Sequence, residues 1–151
     1  MKISLLSRID NKIPEILIYK HSRQPFYNMF NSKTSEFLGS MCAYPDNFKG
    51  KMALCIDSLY MVKRGKSYGS SFLDFAKNLS RKEYHGTVFL NASSILEEDS
   101  GLEPHAFYRK NGFTTDNKKI LEKIDDSIKS DKALTFFDVP PIIMYWQARK
   151  K

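Results

Sequence analysis

Short runs in which apolar and polar residues alternate dominate the first third of the chain. This pattern predicts a short strand over residues 2–7. Two further runs, 26–31 and 36–44, are joined by the polar stretch Ser32–Ser35, which is typical of a turn. We therefore expect an antiparallel hairpin in this part of the chain.

The stretch between the first strand and the hairpin has mixed periodicity. Pro14 suits the first turn of a helix, so residues 13–20 are expected to form one. After the hairpin, the polar segments 45–47 and 49–51 predict a loop, because Pro, Asp, Asn and Gly favour turns over regular structure.

A nearly continuous apolar run, Met52–Val62, predicts a central strand that is covered on both faces. The glycine-containing segment 63–69 breaks this run. Apolar residues then recur at helical spacing over 70–80, Gly86 ends the helix, and 87–90 predicts a second strand. Strand, helix and strand in this order predict a right-handed βαβ unit with two parallel strands.

The last third of the chain predicts two helices and two closing strands. Residues 104–111 favour a short helix that ends at Gly112, and Asp116 can cap a further helix over 117–129. The closing strands are expected at 134–137 and 142–146. Altogether, residues 1–151 predict a single domain of the α+β (mixed α/β) class. Its sheet is mostly antiparallel and contains one parallel pair.

Composition narrows the possible functions only partly. The 24 Lys and Arg residues exceed the 17 Asp and Glu residues, so the formal net charge is +7. This charge favours an anionic partner such as a phosphorylated cofactor or a nucleic acid, but it also fits a solvated basic face. No apolar run approaches the ~20 residues of a membrane helix, so no membrane partner is expected.

Targeting and metal signals are weak. The N-terminal stretch 1–10 lacks the apolar core of a signal peptide, which favours a cytoplasmic location. Cys42 and Cys55 are too few and too far apart for a disulfide framework or a zinc site, and the three histidines lack metal-ligand spacing. We expect no bound metal.

Two segments carry candidate chemistry. The first, 64–70, lies between the predicted central strand and the helix that follows it. Small residues there let the backbone approach a ligand, and a helix N-terminus presents N–H donors to an anion. The glycine spacing matches neither a P-loop nor a dinucleotide fingerprint, and such a turn taken alone is more often structural. The second segment is His105–Phe113, whose aromatic pair would ordinarily indicate core packing.

Together the two segments resemble the GNAT acetyltransferase superfamily. That family has an Arg/Gln-x-x-Gly-x-Gly/Ala turn after a central strand, and here the turn is Arg64–Gly69. About forty residues later the family has a helix that ends in a Phe-Tyr-x-x-x-Gly-Phe-like run, here Phe107–Phe113. The stretch 88–92 matches the second parallel strand between them. Ser67 departs from the pattern, since a glycine is usual there, and 117–129 has the character of an insertion.

The resemblance implies a GNAT-like fold whose parallel strands splay around acetyl-coenzyme A, with helices flanking the sheet. It implies acetyl transfer to a primary amine, with no metal. The backbone of the central strand would pair with the pantetheine arm, and the turn amides would hold the pyrophosphate. Asn91, at the end of the second parallel strand, would hold a water or a pantetheine amide, or would cap a turn instead. The implied cofactor-binding residues are Leu59, Met61, Val62, Arg64, Gly65, Lys66, Ser67, Tyr68, Gly69, Ser70 and Asn91.

Two residues are candidates for catalysis. Tyr108 occupies the position of the family's general acid, and the alternative is a core residue whose hydroxyl is bonded to the backbone. Asp57 is the only charge in the apolar run, and burying a lone carboxylate is costly, so it is expected to be a general base or one half of an ion pair. The acidic residues 97–99 either line the acceptor mouth or form a solvated loop.

The acceptor cannot be identified from the residues. A small-molecule amine and a protein amine are both compatible with the resemblance, and a homodimer is one option for its assembly. The alternative to an enzyme is a basic binding module, which keeps the fold without catalysis and binds nucleic acid or protein. The basic residues are spread along the chain, and no aromatic-basic ladder accompanies them, which favours the enzyme.

Overall fold

A computed structural model describes residues 3–9, 16–62, 68–92, 104–132 and 139–149. Within these ranges the chain forms seven strands and three helices. They are β1 (Ile3–Ile9), β2 (Ile16–His21), β3 (Phe26–Asn31), β4 (Phe37–Phe48), β5 (Lys51–Met61), α1 (Tyr68–Glu83), β6 (Thr87–Ala92), α2 (Pro104–Lys110), α3 (Lys118–Ser130) and β7 (Ile142–Gln147).

The seven strands form one sheet whose spatial order follows the chain from β1 to β7. Neighbouring strands run antiparallel except for β5 and β6, which are parallel. Helix α1 connects this parallel pair and packs against β4, β5 and β6. The predicted hairpin, the βαβ unit and the mostly antiparallel sheet with one parallel pair are therefore confirmed.

One face of the sheet carries the core. From β2 onward, residues of the strands contribute to this face largely in alternation, because successive side chains of a strand point in opposite directions. Helix α1 covers the face with Phe72, Leu73 and Ala76, and α3 adds Ile124, all of which are at most 1% exposed. From the strands and the segment after α2 come Ile16, Ile18, Met29, Met41, Leu54, Val88, Phe113 and Met144, each with similarly low exposure.

The helix predicted over 13–20 is wrong from residue 16 onward, where the chain forms β2; residues 13–15 lie outside the described ranges. Ile16 and Ile18 are both fully buried on the core face, which is a period of two rather than 3.6. Both are β-branched, and β2 pairs with β1 on one side and β3 on the other. Sheet pairing decides the conformation where the local pattern was mixed.

The loop predicted at 45–47 is also wrong, because β4 continues through these residues to Phe48. The turn is confined to Lys49 and Gly50, whose φ angles are 51° and 84°. This is the positive-φ pair that a two-residue hairpin needs. Pro45 is tolerated in the strand because the β3–β4 pairing ends at Cys42, with one further bond from the Ala43 N–H to the Pro25 carbonyl at 2.9 Å. No described strand pairs with that edge of β4 at Pro45.

The C-terminal helices differ little from the predictions. Helix α2 ends before Gly112, whose φ is 90°. Asn117, rather than Asp116, caps α3: its side chain accepts a hydrogen bond from the backbone N of Ile120 at 3.2 Å. Asp116 instead accepts from the Tyr145 hydroxyl at 2.6 Å. Strand β7 is confirmed, and the strand predicted at 134–137 lies outside the described residues.

Candidate active site

The parallel strands β5 and β6 separate near the middle of the sheet. They are paired at only three positions, from Leu54–Val88 to Ile56–Leu90. Beyond Ile56, β5 stays paired with β4 as far as Met61, and beyond Leu90, β6 stays paired with β7 as far as Ala92. A gap therefore opens between the carboxyl ends of the two parallel strands, where ligands of such strand pairs commonly bind.

A β-bulge in β5 coincides with the start of this gap. Cys42 of β4 pairs with Ser58, and the adjacent Ala43 pairs with Ile56, which leaves Asp57 as the extra residue. A bulge bends its strand and increases the local twist. The bulge thus turns β5 away from β6 while β5 keeps its pairing with β4.

The bulge also corrects the environment predicted for β5. Ala53, Leu54 and Ile56 are buried, as expected for a central strand, but Asp57, Ser58 and Tyr60 are exposed. Asp57 is therefore not the buried lone carboxylate that the apolar run suggested, and the described residues place no basic side chain in an ion pair with it. Its carboxylate accepts a hydrogen bond from the Tyr44 hydroxyl at 3.4 Å. This neighbour is fixed by strand register, which the sequence does not reveal.

Backbone groups of β5 face the gap. The N–H of Val62 donates to the carbonyl of Leu38 at 2.9 Å, so it is engaged with β4 and is lost as a donor for a cofactor. Along an antiparallel strand, successive residues point their backbone N–H and C=O groups toward opposite edges. The N–H and C=O groups of Leu59 and Met61 therefore point to the other edge, toward the gap. A pantetheine arm, which carries two amides, fits such an edge.

The N-terminus of α1 lies at the same end of the sheet. Tyr68, Gly69 and Ser70 form its first turn, while 63–67, including Arg64, Gly65, Lys66 and Ser67, lie outside the described residues. The first turn contains no acidic residue, and the last turn contains Arg81 and Lys82. The basic last turn complements the helix dipole, and the lack of an acidic side chain in the first turn leaves the positive end of the dipole and the N-terminal amides compatible with an anion.

Gly69 has a packing role that the sequence did not indicate. A Cβ atom built on Gly69 would lie 3.0 Å from Cζ of Phe107 and 3.6 Å from Cγ of Met61. The end of β5, the start of α1 and the helix α2 therefore meet at this residue. The absence of a side chain brings α2 close to the gap, in addition to any role for the Gly69 amide.

Tyr108 follows Phe107 on α2. Its ring is partly buried and packs against Phe107 and Phe113, with centroid distances of 5.3 and 5.8 Å. Burial raises the pKa of the Tyr108 phenol to about 12, because the phenolate would lose its hydration. No hydrogen bond joins the hydroxyl to another described residue, so the backbone-bonded alternative finds no support in these ranges.

Asn91 lies on β6 just past the last paired position, where the gap begins. Its side chain is exposed, and its backbone pairs with Ile143 of β7. The structure therefore brings Asn91, the β5 edge and the first turn of α1 to one end of the sheet. The acidic stretch 97–99 lies outside the described residues.

The sequence did not predict the contacts of three residues on or near α2. Lys77 of α1 donates from Nζ to the Asn111 carbonyl at 2.5 Å, and Arg109 pairs with Asp125 of α3 at 2.9 Å. His105 is fully buried: its Nε2 lies 3.2 Å from the Pro140 carbonyl oxygen, and its Nδ1 has no hydrogen-bond partner among the described residues. Each contact joins segments far apart in the chain, and no local pattern marks it.

Comparison with solved structures identifies the fold. Aminoglycoside 6'-acetyltransferase type Ii matches with a TM-score of 0.54 and 16% identity, over 85% of this chain and 73% of that one. Nourseothricin acetyltransferase matches with a TM-score of 0.52 and 10% identity, over 93% and 74% of the two chains. The NatC complex bound to a Gag peptide and CoA also gives 0.52, at 12% identity over 82% and 71%. The chain has the GNAT fold.

The GNAT fold expected from the two motifs is thus confirmed, although no protein-family model matches the sequence and the search of curated proteins gives no match. At 10–16% identity, these likenesses concern the fold and not the reaction. In the described part of the chain, no three His, Cys, Asp or Glu side chains are placed to hold a metal ion. No described helix is long and apolar enough to cross a membrane.

Proposed function

We propose that this protein is an acetyl-coenzyme A-dependent N-acetyltransferase that moves an acetyl group directly to a primary amine. The observation that carries the proposal is the gap between β5 and β6, which opens at the Asp57 bulge next to the first turn of α1 and to α2. The GNAT fold supports it, because neighbours with this fold are acetyltransferases. When bound, acetyl-coenzyme A supplies the acetyl group as a thioester.

The cofactor would lie along the gap. The N–H and C=O of Leu59 and the C=O of Met61 would pair with the pantetheine amides, and Asn91 would add a side-chain contact from β6. The amides of Tyr68–Ser70, together with residues 64–67, would hold the pyrophosphate. Helix N-termini bind phosphate groups because their N–H donors and the helix dipole both favour negative charge.

Three groups of this chain would act on the reacting atoms. The Met61 N–H would donate to the thioester carbonyl oxygen as negative charge develops on it. Asp57, exposed at the gap and held by Tyr44, would accept a proton from the amine, directly or through water. Tyr108 would donate a hydrogen bond to the leaving sulfur.

The raised pKa of Tyr108 refines its role. A phenol with a pKa of about 12 keeps its proton at neutral pH, so it is always available as a donor. A thiol has a reference pKa near 8.5, well below that of the phenol. Complete proton transfer from Tyr108 to the thiolate is therefore uphill. We propose that Tyr108 stabilises the departing sulfur through a hydrogen bond and that solvent supplies the final proton.

The proposal is tested in two steps. Calorimetric titration with coenzyme A and acetyl-coenzyme A should show one site per chain. A screen of amines should then release free thiol from acetyl-coenzyme A in the presence of at least one class of acceptor, such as polyamines, aminoglycosides, amino acids or peptide amines. Binding without turnover in any class would favour the non-catalytic binding module, and absence of binding would refute both the cofactor and the reaction.

A further inference from the structure

Lys77 occupies an unusual place for a lysine. It lies in the middle of α1, its side chain is only 13% exposed, and its Nζ lies 5.3 Å from the ring centroid of Trp146 and 5.8 Å from that of Phe113. The Asp74 carboxylate lies 4.0 Å from its Nζ and is mostly exposed, so that pair contributes little. Burial lowers the pKa of Lys77. The ammonium is therefore kept in a costly position.

The hydrogen bond made by this ammonium leads to Tyr108. Lys77 Nζ donates to the Asn111 carbonyl at 2.5 Å, just after the last turn of α2. The Asn111 backbone N donates to the Tyr108 carbonyl at 3.1 Å, and the Asn111 side chain donates to the Phe107 carbonyl at 2.8 Å. The Phe113 N also donates to the Tyr108 carbonyl, at 3.0 Å. Asn111, whose carbonyl accepts the hydrogen bond from Lys77, therefore hydrogen-bonds in turn to the backbone of Tyr108.

A seven-residue helix needs such support. Isolated helices of this length are unstable in water, and the last carbonyls of a helix have no intrahelical donor. A cation near the C-terminus also complements the helix dipole. Lys77 supplies both the donor and the charge from α1, the helix whose first turn faces the gap.

We propose that Lys77 is a positioning residue for Tyr108: by binding the Asn111 carbonyl at the end of α2, it fixes the turn that places the Tyr108 hydroxyl beside the reacting sulfur. This inference rests on the proposed acetyl transfer. It assigns no contact between Lys77 and the substrate. Replacement of Lys77 should therefore lower the turnover number rather than the affinity for the cofactor.

The variant Lys77→Met tests the proposal. Methionine fills much the same space against Trp146 and Phe113 and removes the cost of burying the charge, but it leaves the Asn111 carbonyl without this donor. The two effects oppose each other, so the melting temperature should change little. We expect kcat to fall about tenfold or more, since small misplacements of a catalytic group have effects of this size. The KM for acetyl-coenzyme A should change less than about twofold. Lys77→Arg, which keeps a cationic donor, should restore part of the rate.

Two controls separate positioning from general damage. Lys82→Met makes the same substitution at an exposed site of α1 and should leave kcat unchanged. Amide hydrogen exchange needs no substrate: in Lys77→Met, the Asn111 and Phe113 amides should exchange faster while those in the middle of α1 do not. If Lys77→Met fails to fold, Lys77→Gln gives the same comparison with a shorter polar side chain. Unchanged exchange at Asn111 and Phe113 would overturn the inference.

A double-mutant cycle decides whether Lys77 acts through Tyr108. In a Tyr108→Phe background, Lys77→Met should lower kcat by less than about twofold, because the group being positioned is already gone. Fully additive losses would show that Lys77 acts by another route and would overturn this inference alone. If Tyr108→Phe itself has the full rate, the catalytic role of Tyr108 fails first, and positioning by Lys77 fails with it.

Discussion

Replacing Tyr108 by phenylalanine should slow the reaction and change the stability of the protein little. The ring contacts with Phe107 and Phe113 do not involve the hydroxyl, so the variant keeps its packing. What it loses is one O–H group, whose phenol has a pKa raised to about 12 by desolvation.

The two magnitudes follow from that environment. A hydrogen bond to a charged group is worth about 1.5–3 kcal/mol, which corresponds to a loss in kcat of roughly ten- to 150-fold. Among the described residues, the buried side-chain polar atom that lacks a partner is His105 Nδ1 and not the Tyr108 hydroxyl. Removing the hydroxyl should therefore change the free energy of unfolding by less than about 1 kcal/mol. A residue that only packs would leave kcat unchanged.

The assay needs an acceptor from the amine screen, or slow hydrolysis of acetyl-coenzyme A as a substitute. Thiol release gives kcat and KM, and thermal unfolding gives the change in stability. The KM for acetyl-coenzyme A should stay within about twofold, because the hydrogen bond forms only as charge develops on sulfur. A variant with the full rate, or one with normal cofactor binding but lower stability, would refute this account of Tyr108.

Three further substitutions test the surrounding site. Asp57→Asn should flatten the acidic limb of the pH–rate profile and leave the melting temperature unchanged, because the carboxylate is exposed; an unaltered profile would remove it as the base. Burial lowers the pKa of His105 and so favours its neutral form, which means that stability is present above its unfolded pKa near 6.5 and is lost as the pH falls below it. The melting temperature should drop between pH 7 and 5, and His105→Gln should flatten that slope. Gly69→Leu should lower the melting temperature, since a Cβ alone would already lie 3.0 Å from Cζ of Phe107 and a larger side chain cannot fit there, whereas Ser70→Ala should not.

Much of the fold could be predicted because the decisive signals are local. The apolar run before α1, the helical spacing within α1 and the short strand after it identify a βαβ unit without any knowledge of the rest. Gly112 at the end of α2 is equally local, since only a residue that tolerates positive φ suits that position. These elements carry most of the resemblance to the GNAT superfamily.

The errors arise where neighbours in space decide the conformation. Residues 16–20 form a strand because β1 and β3 pair with them, and Pro45 stays in β4 because none of the described strands pairs with that edge of β4. Asp57 was expected to be buried because its neighbours in sequence are apolar. A single extra residue at the bulge placed it on the exposed side instead. Register and bulges depend on both strands, so one strand's pattern does not reveal them.

Two polar contacts hold α2, one from α1 and one from α3. Their exposure to solvent decides which of them contributes more to the position of α2. Arg109 and Asp125 join α2 to α3, but their side chains are 31% and 39% exposed, so solvent screens them and the pair contributes at most about 1 kcal/mol. The Lys77 contact is only 13% exposed on the lysine side and ends on a carbonyl that would otherwise lack a donor. A buried, charge-assisted hydrogen bond contributes more free energy than a solvent-screened ion pair does. The Lys77 hydrogen bond from α1 should therefore do more than the Arg109–Asp125 pair to position α2. Asp125→Asn should accordingly lower kcat less than Lys77→Met does.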